Sequence, residues 1–316
     1  VSRRAGRAPL LIAGLGFGVA LGTALGAFVL APTMPDAAGS AQPTAPTAQP
    51  AEASSGAKEI VAAWGPRVVA DTLVGRPVII MASPGANDAD VAALADALHR
   101  AGAIDAGRID VTDSLFATSG ADALRTIAAE TLPAGASLSE GSLDSGTHAG
   151  ELLGSALLLG PADAAPLATT EERALVLSTL RDAGMLSYEE GTIRPAQAVV
   201  FVGGESADPA VVESMARFVE ALRGRGAGVV VAASGDADGS DTDGAGVADT
   251  LAAAGSPVST VDTVADPWSP SSVVLAVAEQ ISGASGHYGR GEGVTGLVPA
   301  APDRPETNSF GGEQQR

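Results

Sequence analysis

An uncharged stretch near the amino terminus constrains this chain more than anything after it. Arg3, Arg4 and Arg7 precede a run without charge from Ala8 to Pro35. Its apolar centre, residues 10–31, holds one polar side chain, Thr23. At about 1.5 Å rise per residue, a helix over that centre matches a hydrocarbon core of roughly 30 Å. The arginines on its amino side predict a cytoplasmic N-terminus, residues 1–9, by the positive-inside rule. The expectation is a single-pass plasma-membrane protein with its main domain extracytoplasmic. A cleaved signal peptide is the alternative, with small residues at Ala37–Ser40 for cleavage, but such peptides carry a shorter apolar region. Gly14, Gly18, Gly22 and Gly26 recur every four residues. Glycine stripes let helices approach closely in lipid, where apolar faces gain nothing by meeting. The segment is therefore expected to pair with a second copy or with another membrane protein.

Charge sets the next limit. The chain has 37 acidic and 18 basic residues, net −19, and every acidic residue follows the apolar run. A surface of that sign does not suit nucleic acid, which needs neutralising Lys and Arg. Cysteine is absent. The domain must be held by its core, and no thiolate serves zinc, copper or redox chemistry.

Residues 32–57 are rich in Pro, Ala, Thr and Gln and read as a disordered linker, extended where proline dominates. From residue 58 to 295 the pattern alternates strand and helix. Strands are expected at Arg76–Ala82, Arg108–Thr112, Ala198–Val202, Gly228–Ala232 and Pro257–Val264. Helices are expected from Asn87 or Asp88 to Arg100, and over Ala121–Glu130, His148–Leu159, Thr170–Ala183, Asp208–Arg223, Ala245–Ala254 and Ser271–Ile281. Continuous apolar strands separated by helices predict an α/β fold, a mostly parallel sheet with helices on both faces. The domain reads as one unit, with any lobe boundary near 160–170. Residues 296–316 are polar and read as a disordered tail.

Candidate chemistry is sparse. No GxGxxG or P-loop follows any strand. Gly204-Glu205-Ser206 sits where a hydrolase nucleophile would, but Asp208 replaces the second glycine, so it reads as a turn into a helix cap. Asp236, Asp238, Ser240, Asp241 and Asp243 lie in a Gly-rich loop without the closing glutamate of an EF-hand; it reads as a solvated loop. His99 falls near a helix end. His148, read as opening a helix, and His287, read as lying in a Gly-rich loop, are the freer metal candidates, since imidazole suits copper and zinc. No catalytic set or resident cofactor emerges, and the chain is expected not to be an enzyme.

Several segments resemble the MctB-like copper transporter family of actinobacteria. They are Leu132-Pro133-Ala134-Gly135 through Ser139, Asp144 through Leu158 with Gly146, Gly150, Leu153 and Gly154, Ser259–Thr263, and Gly286-His287-Tyr288-Gly289. The resemblance spans roughly residues 58–295. It implies a role in copper transport, efflux and homeostasis in the cell envelope, with an outer envelope layer as a further location. Some relatives act in septal cell separation beside a membrane partner, which implies envelope or septal proteins as partners and cell division as an alternative role. Copper enters through this resemblance alone. Relatives follow the membrane segment with a charged heptad-like helix; here the Pro/Ala-rich linker takes its place.

Overall fold

The computed structural model describes residues 64–141, 144–204, 208–226, 228–233, 246–262, 264, 266–291 and 293–300. The apolar run and its glycines, the linker, Ser206, the 236–243 loop and the tail beyond Ala300 lie outside the described residues. Among the described residues no helix is long and apolar enough to cross a membrane.

Among the described residues the sheet has seven strands: β1 (Pro77–Ala82), β2 (Ile104–Val111), β3 (Leu186–Tyr188), β4 (Ala198–Gly203), β5 (Gly228–Ala233), β6 (Ser259–Val261) and β7 (His287–Tyr288). Their order is β3-β2-β1-β4-β5-β6-β7. Every pairing is parallel except β2 with β3. Side chains alternate across a strand, and the two halves of each central strand enter two cores. Ile79, Met81, Val199, Phe201, Val229 and Val231 face one. Val78, Ile80, Val200, Val202, Val230 and Ala232 face the other. Burial on both sides explains why these strands are continuously apolar.

Among the described residues the faces are covered by α1 (Asp88–Arg100), α2 (Asp113–Phe116), α3 (Ala121–Thr131), α4 (Ser145–Leu157), α5 (Thr170–Asp182), α6 (Pro209–Arg225), α7 (Val247–Ala254) and α8 (Ser269–Ile281). Their starts follow local chemistry. Asn87 accepts from Ala89 N–H at 2.8 Å, and Asp208 accepts from Ala210 N–H at 2.9 Å with Pro209 behind it. Thr169 and Glu172 form a reciprocal capping box on α5. α2 to α7 fill the first core, while α1 and α8 fill the second. α6 and α7 lie on one face as the chain steps from β4 to β5 to β6. α8 continues in the same direction to β7 but lies on the opposite face, so this last crossover has the opposite hand. Without it, Val200, Val202 and Val230 would face water.

Several boundaries move from expectation. β2 starts at Ile104, because the chain pairs with Pro77 before an irregularity near Gly107 breaks the alternation. β6 is confined to three residues. α8 starts two residues early, at Ser269. β3 and β7 are too short to show periodicity and exist only through their pairing. β7 places His287 in a strand, not a loop. Gly296, expected in the tail, pairs with Tyr288. Strands from both sides of 160–170 interleave in the one sheet.

A buried amide ties the two faces together. Gln280 of α8 is fully buried. Its Nε2 donates to the Pro257 carbonyl at 2.8 Å and to Ser259 Oγ at 2.9 Å, and its Oε1 accepts from Arg223 Nε of α6 at 2.8 Å. Gln280→Leu keeps the volume but strands these partners. It is expected to lower unfolding stability by about 2–3 kcal/mol, since a buried polar group left unpaired costs about 1–3 kcal/mol. Urea denaturation of the variant checks this; an unchanged midpoint would refute it.

Candidate functional site

The segment Leu132–Leu158 folds into one place. Asp144 caps α4, accepting from Thr147 N–H at 2.9 Å and from its hydroxyl at 3.1 Å. α4 therefore starts at Ser145, three residues before the expected His148. It stops at Leu157 because the next two residues bridge to Ala196 and Pro166. Asp144 also pairs with Arg217 of α6 at 3.2 Å, so one carboxylate starts α4 and ties it to its neighbour.

α4 and α6 pack together through glycine. A Cβ at Gly146 would overlap the Ser214 carbonyl oxygen, and one at Gly150 would overlap that of Phe218. At Gly154 it would come 2.9 Å from Arg225 Cβ. The three lie four residues apart on one helix face. Leu153 points into the core, fully buried. Phe218 of α6 meets Phe116 edge-on at 5.4 Å and Phe201 of β4 at 5.8 Å between centroids, which seats α6 on the sheet.

The Leu132–Ser139 loop closes over the end of this pair. Ala136 N–H donates to the Pro133 carbonyl at 3.0 Å, and Gly135 adopts a φ of 81° inside that turn, where a side chain would be strained. Leu132 packs on the first core. Ala134 N–H donates to Glu172 at 2.8 Å. The centre of the arrangement is Glu151, a lone acid in an apolar helix, 7% exposed. It accepts from Ser139 N–H at 2.8 Å and from Ser139 Oγ at 2.5 Å, and Arg225 Nη2 lies 3.2 Å away. Arg225 also donates to the Ser137 carbonyl. Burial works against the Glu151 charge, but the Ser139 bonds and Arg225 outweigh it and hold the carboxyl below its ordinary range. Sequence reasoning passed over Glu151 and Arg225. A single charge between Gly150 and Leu152 was the available signal, since a buried acid needs partners.

His148 lies inside the first turn of α4 and does not open it, and it is buried. Its Nε2 contacts the Ser139 carbonyl at 3.2 Å. A carbonyl only accepts, so Nε2 is the donor here, and in the neutral imidazole the lone pair is then on Nδ1. Nδ1 is buried and without a hydrogen bond. His287 is also buried; its Nδ1 contacts Thr260 Oγ1 at 3.1 Å. Burial holds its imidazole below the ordinary range, against a bond to the Ser256 backbone. Among the described residues no three His, Cys, Asp or Glu side chains gather as a metal site.

An open groove of about 440 Å³ runs between α4 and α6, lined by Thr147, Glu151, Arg217, Glu220, Ala221, Gly224 and Arg225. Its polarity suits a charged or hydroxylated surface better than an apolar ligand. The switch point between β1 and β4, where such sheets often take ligands, is drawn tight. Ser83 Oγ accepts from Gly204 N–H at 2.6 Å, and a Cβ at Gly204 would overlap the backbone of residues 84–86. The other resembling segments are also structural. Tyr288 donates to Glu279 at 2.6 Å, and its hydroxyl is pushed up by burial and by that carboxylate. Gly289, at φ 138°, leaves room for the Asp262 carboxylate.

A sequence model of the family described as copper transport outer membrane protein, MctB, matches residues 10–299. The copper transporter MctB of Mycobacterium tuberculosis is 35% identical over 242 residues, 74% of this chain and 76% of that one. The protein of the same name from Mycobacterium bovis gives the same figures. That of Mycobacterium leprae is 34% identical over 243 residues, 73% and 76% of the two chains. The match runs through the Leu132–Leu158 segment, whose geometry accounts for its glycines and acids, and the chain belongs to the MctB family.

Proposed function

We propose that this protein acts in copper transport and copper homeostasis at the cell envelope, as a membrane-anchored, non-enzymatic component. The observation that carries the reading is the family match over residues 10–299, together with relatives that bear the name copper transporter. In this reading residues 10–31 span the plasma membrane, 32–57 tether the domain, and 58–295 work outside it. The glycine stripe at Gly14, Gly18, Gly22 and Gly26 brings copies or a partner helix together, since a single helix makes no pore. Copper is the cargo. Of the two candidate imidazoles His148 is the one offered as ligand, because its buried Nδ1 has no hydrogen-bond partner while Nδ1 of His287 contacts Thr260.

A deletion strain at fixed external copper is expected to accumulate cell-associated copper, reversed by the restored gene. His148→Ala is expected to restore less than wild type, by several-fold, while His287→Ala at equal protein level restores fully. Unchanged copper on deletion would sink the reading. The second reading is an interaction module in septal cell separation or envelope remodelling. It is favoured by the polar α4–α6 groove. Crosslinking in intact cells that recovers no envelope or septal protein would remove it.

A further inference from the structure

A carboxylate taken out of water is normally given hydrogen bonds in return. Asp266, in the loop between β6 and α8, is 1% exposed, yet neither of its oxygens accepts one. Ser269, at the start of α8, is fully buried and its hydroxyl is equally without a partner. The counter-charge is Arg290, beyond β7, whose Nη1 lies 3.0 Å from Asp266 Oδ2. That is the distance of an ion pair without the alignment of a hydrogen bond. Arg290 is 60% exposed, and its guanidinium stands over the Trp268 ring, 6.0 Å from the centroid. The Arg290 backbone is held separately. Its N–H donates to Asp262, as does that of Gly291 at 2.7 Å. The side chain is thus free to leave without undoing the loop.

We propose that Asp266, Ser269 and Trp268 form a socket for a guanidinium group from outside the chain, an arginine of a partner polypeptide, and that Arg290 is its displaceable plug. A carboxylate supplies charge and in-plane acceptors, a hydroxyl an additional polar contact, and an indole the π face that a guanidinium stacks on. A hard metal ion fits poorly, because it needs six or more oxygens and the socket offers one carboxylate and one hydroxyl. The socket sits beyond the carboxyl ends of β6 and β7, the rim where α/β sheets receive ligands. The chain's net charge of −19 draws a cationic partner to it.

The chain has two tryptophans, so Trp64→Phe in the full-length protein in detergent leaves Trp268 as the reporter. Titration with N-acetyl-arginine amide at constant ionic strength is expected to change its emission saturably. The neutral citrulline analogue is expected to do nothing. Asp266→Asn removes the response, and Ser269→Ala weakens it several-fold if Asp266→Asn does not fold. Arg290→Ala tightens it at least tenfold by removing the competitor. No saturable response while Arg290 is present overturns the proposal. A response confined to Arg290→Ala also overturns it, since the pair would then be structural only.

Discussion

Gly150→Ala is expected to unfold earlier than wild type, by about 3 kcal/mol, although helix propensity alone argues the other way. Alanine in a helix interior is worth about 1 kcal/mol over glycine. That gain is outweighed here because the new methyl would overlap the Phe218 carbonyl oxygen of α6. Backbone cannot rotate away as a side chain does, so α4 and α6 must separate. Overpacking of this kind costs about 1–3 kcal/mol or more, and the separation also loosens the Phe116–Phe218–Phe201 contacts. Two internal comparisons make the test specific. Gly154→Ala meets the Arg225 side chain, which can shift, and is expected to cost less. Gly224→Ala on α6 has nothing within 4 Å and is expected to stabilise by about 0.5–1 kcal/mol. Urea denaturation of the three variants gives the order; equal effects at Gly150 and Gly224 would refute the packing account.

Glu151→Leu is expected to cost about 2–3 kcal/mol at neutral pH. It strands two Ser139 donors and leaves Arg225, itself largely shielded, without its acid. Glu151→Gln retains one acceptor and is expected to cost less. The pH dependence identifies the charge as the cause. The folded carboxyl lies below its ordinary range, so the unfolded chain takes up its proton first on acidification. The stability Glu151 contributes is complete above the unfolded pKa of about 4.3 and is lost as pH falls through the lower folded value. The gap between wild type and Glu151→Gln should therefore be widest near neutrality and shrink towards pH 3. A gap that stays constant with pH would mean that shape, not charge, holds the Leu132–Ser139 loop.

Both predictions concern residues whose meaning the chain order hides. The central strands β1, β4 and β5 were legible because each is a short apolar run between turn signals, and α1 and α6 because Asn87 and Asp208-Pro209 are local start signals. The start of α5 carries Glu171 and Glu172, acids that suit a helix amino end, and Glu172 closes the capping box with Thr169. The burial of His148 was not legible because its neighbours in sequence are mostly small or polar. Its burial comes from α4 starting at Ser145 and from Ser139 folding back over it. The spacing of Gly146, Gly150 and Gly154 was visible, as it was in the apolar run, but no periodicity says which helix will approach a glycine face.

The sequence by itself determined the α/β class, the two-sided burial of the central strands and the acidic character of the domain, because these depend on residue type and near neighbours. Tertiary structure alone decided the rest. The strand order, the antiparallel β3, the two-residue β7 and the placement of α8 on the opposite face are choices among pairings that local propensity leaves equal. The partners of Glu151, His148 and Asp266 were decided in the same way. A buried charge or imidazole takes its properties from groups brought to it across the fold, and Arg225 reaches Glu151 from a helix 74 positions further along the chain.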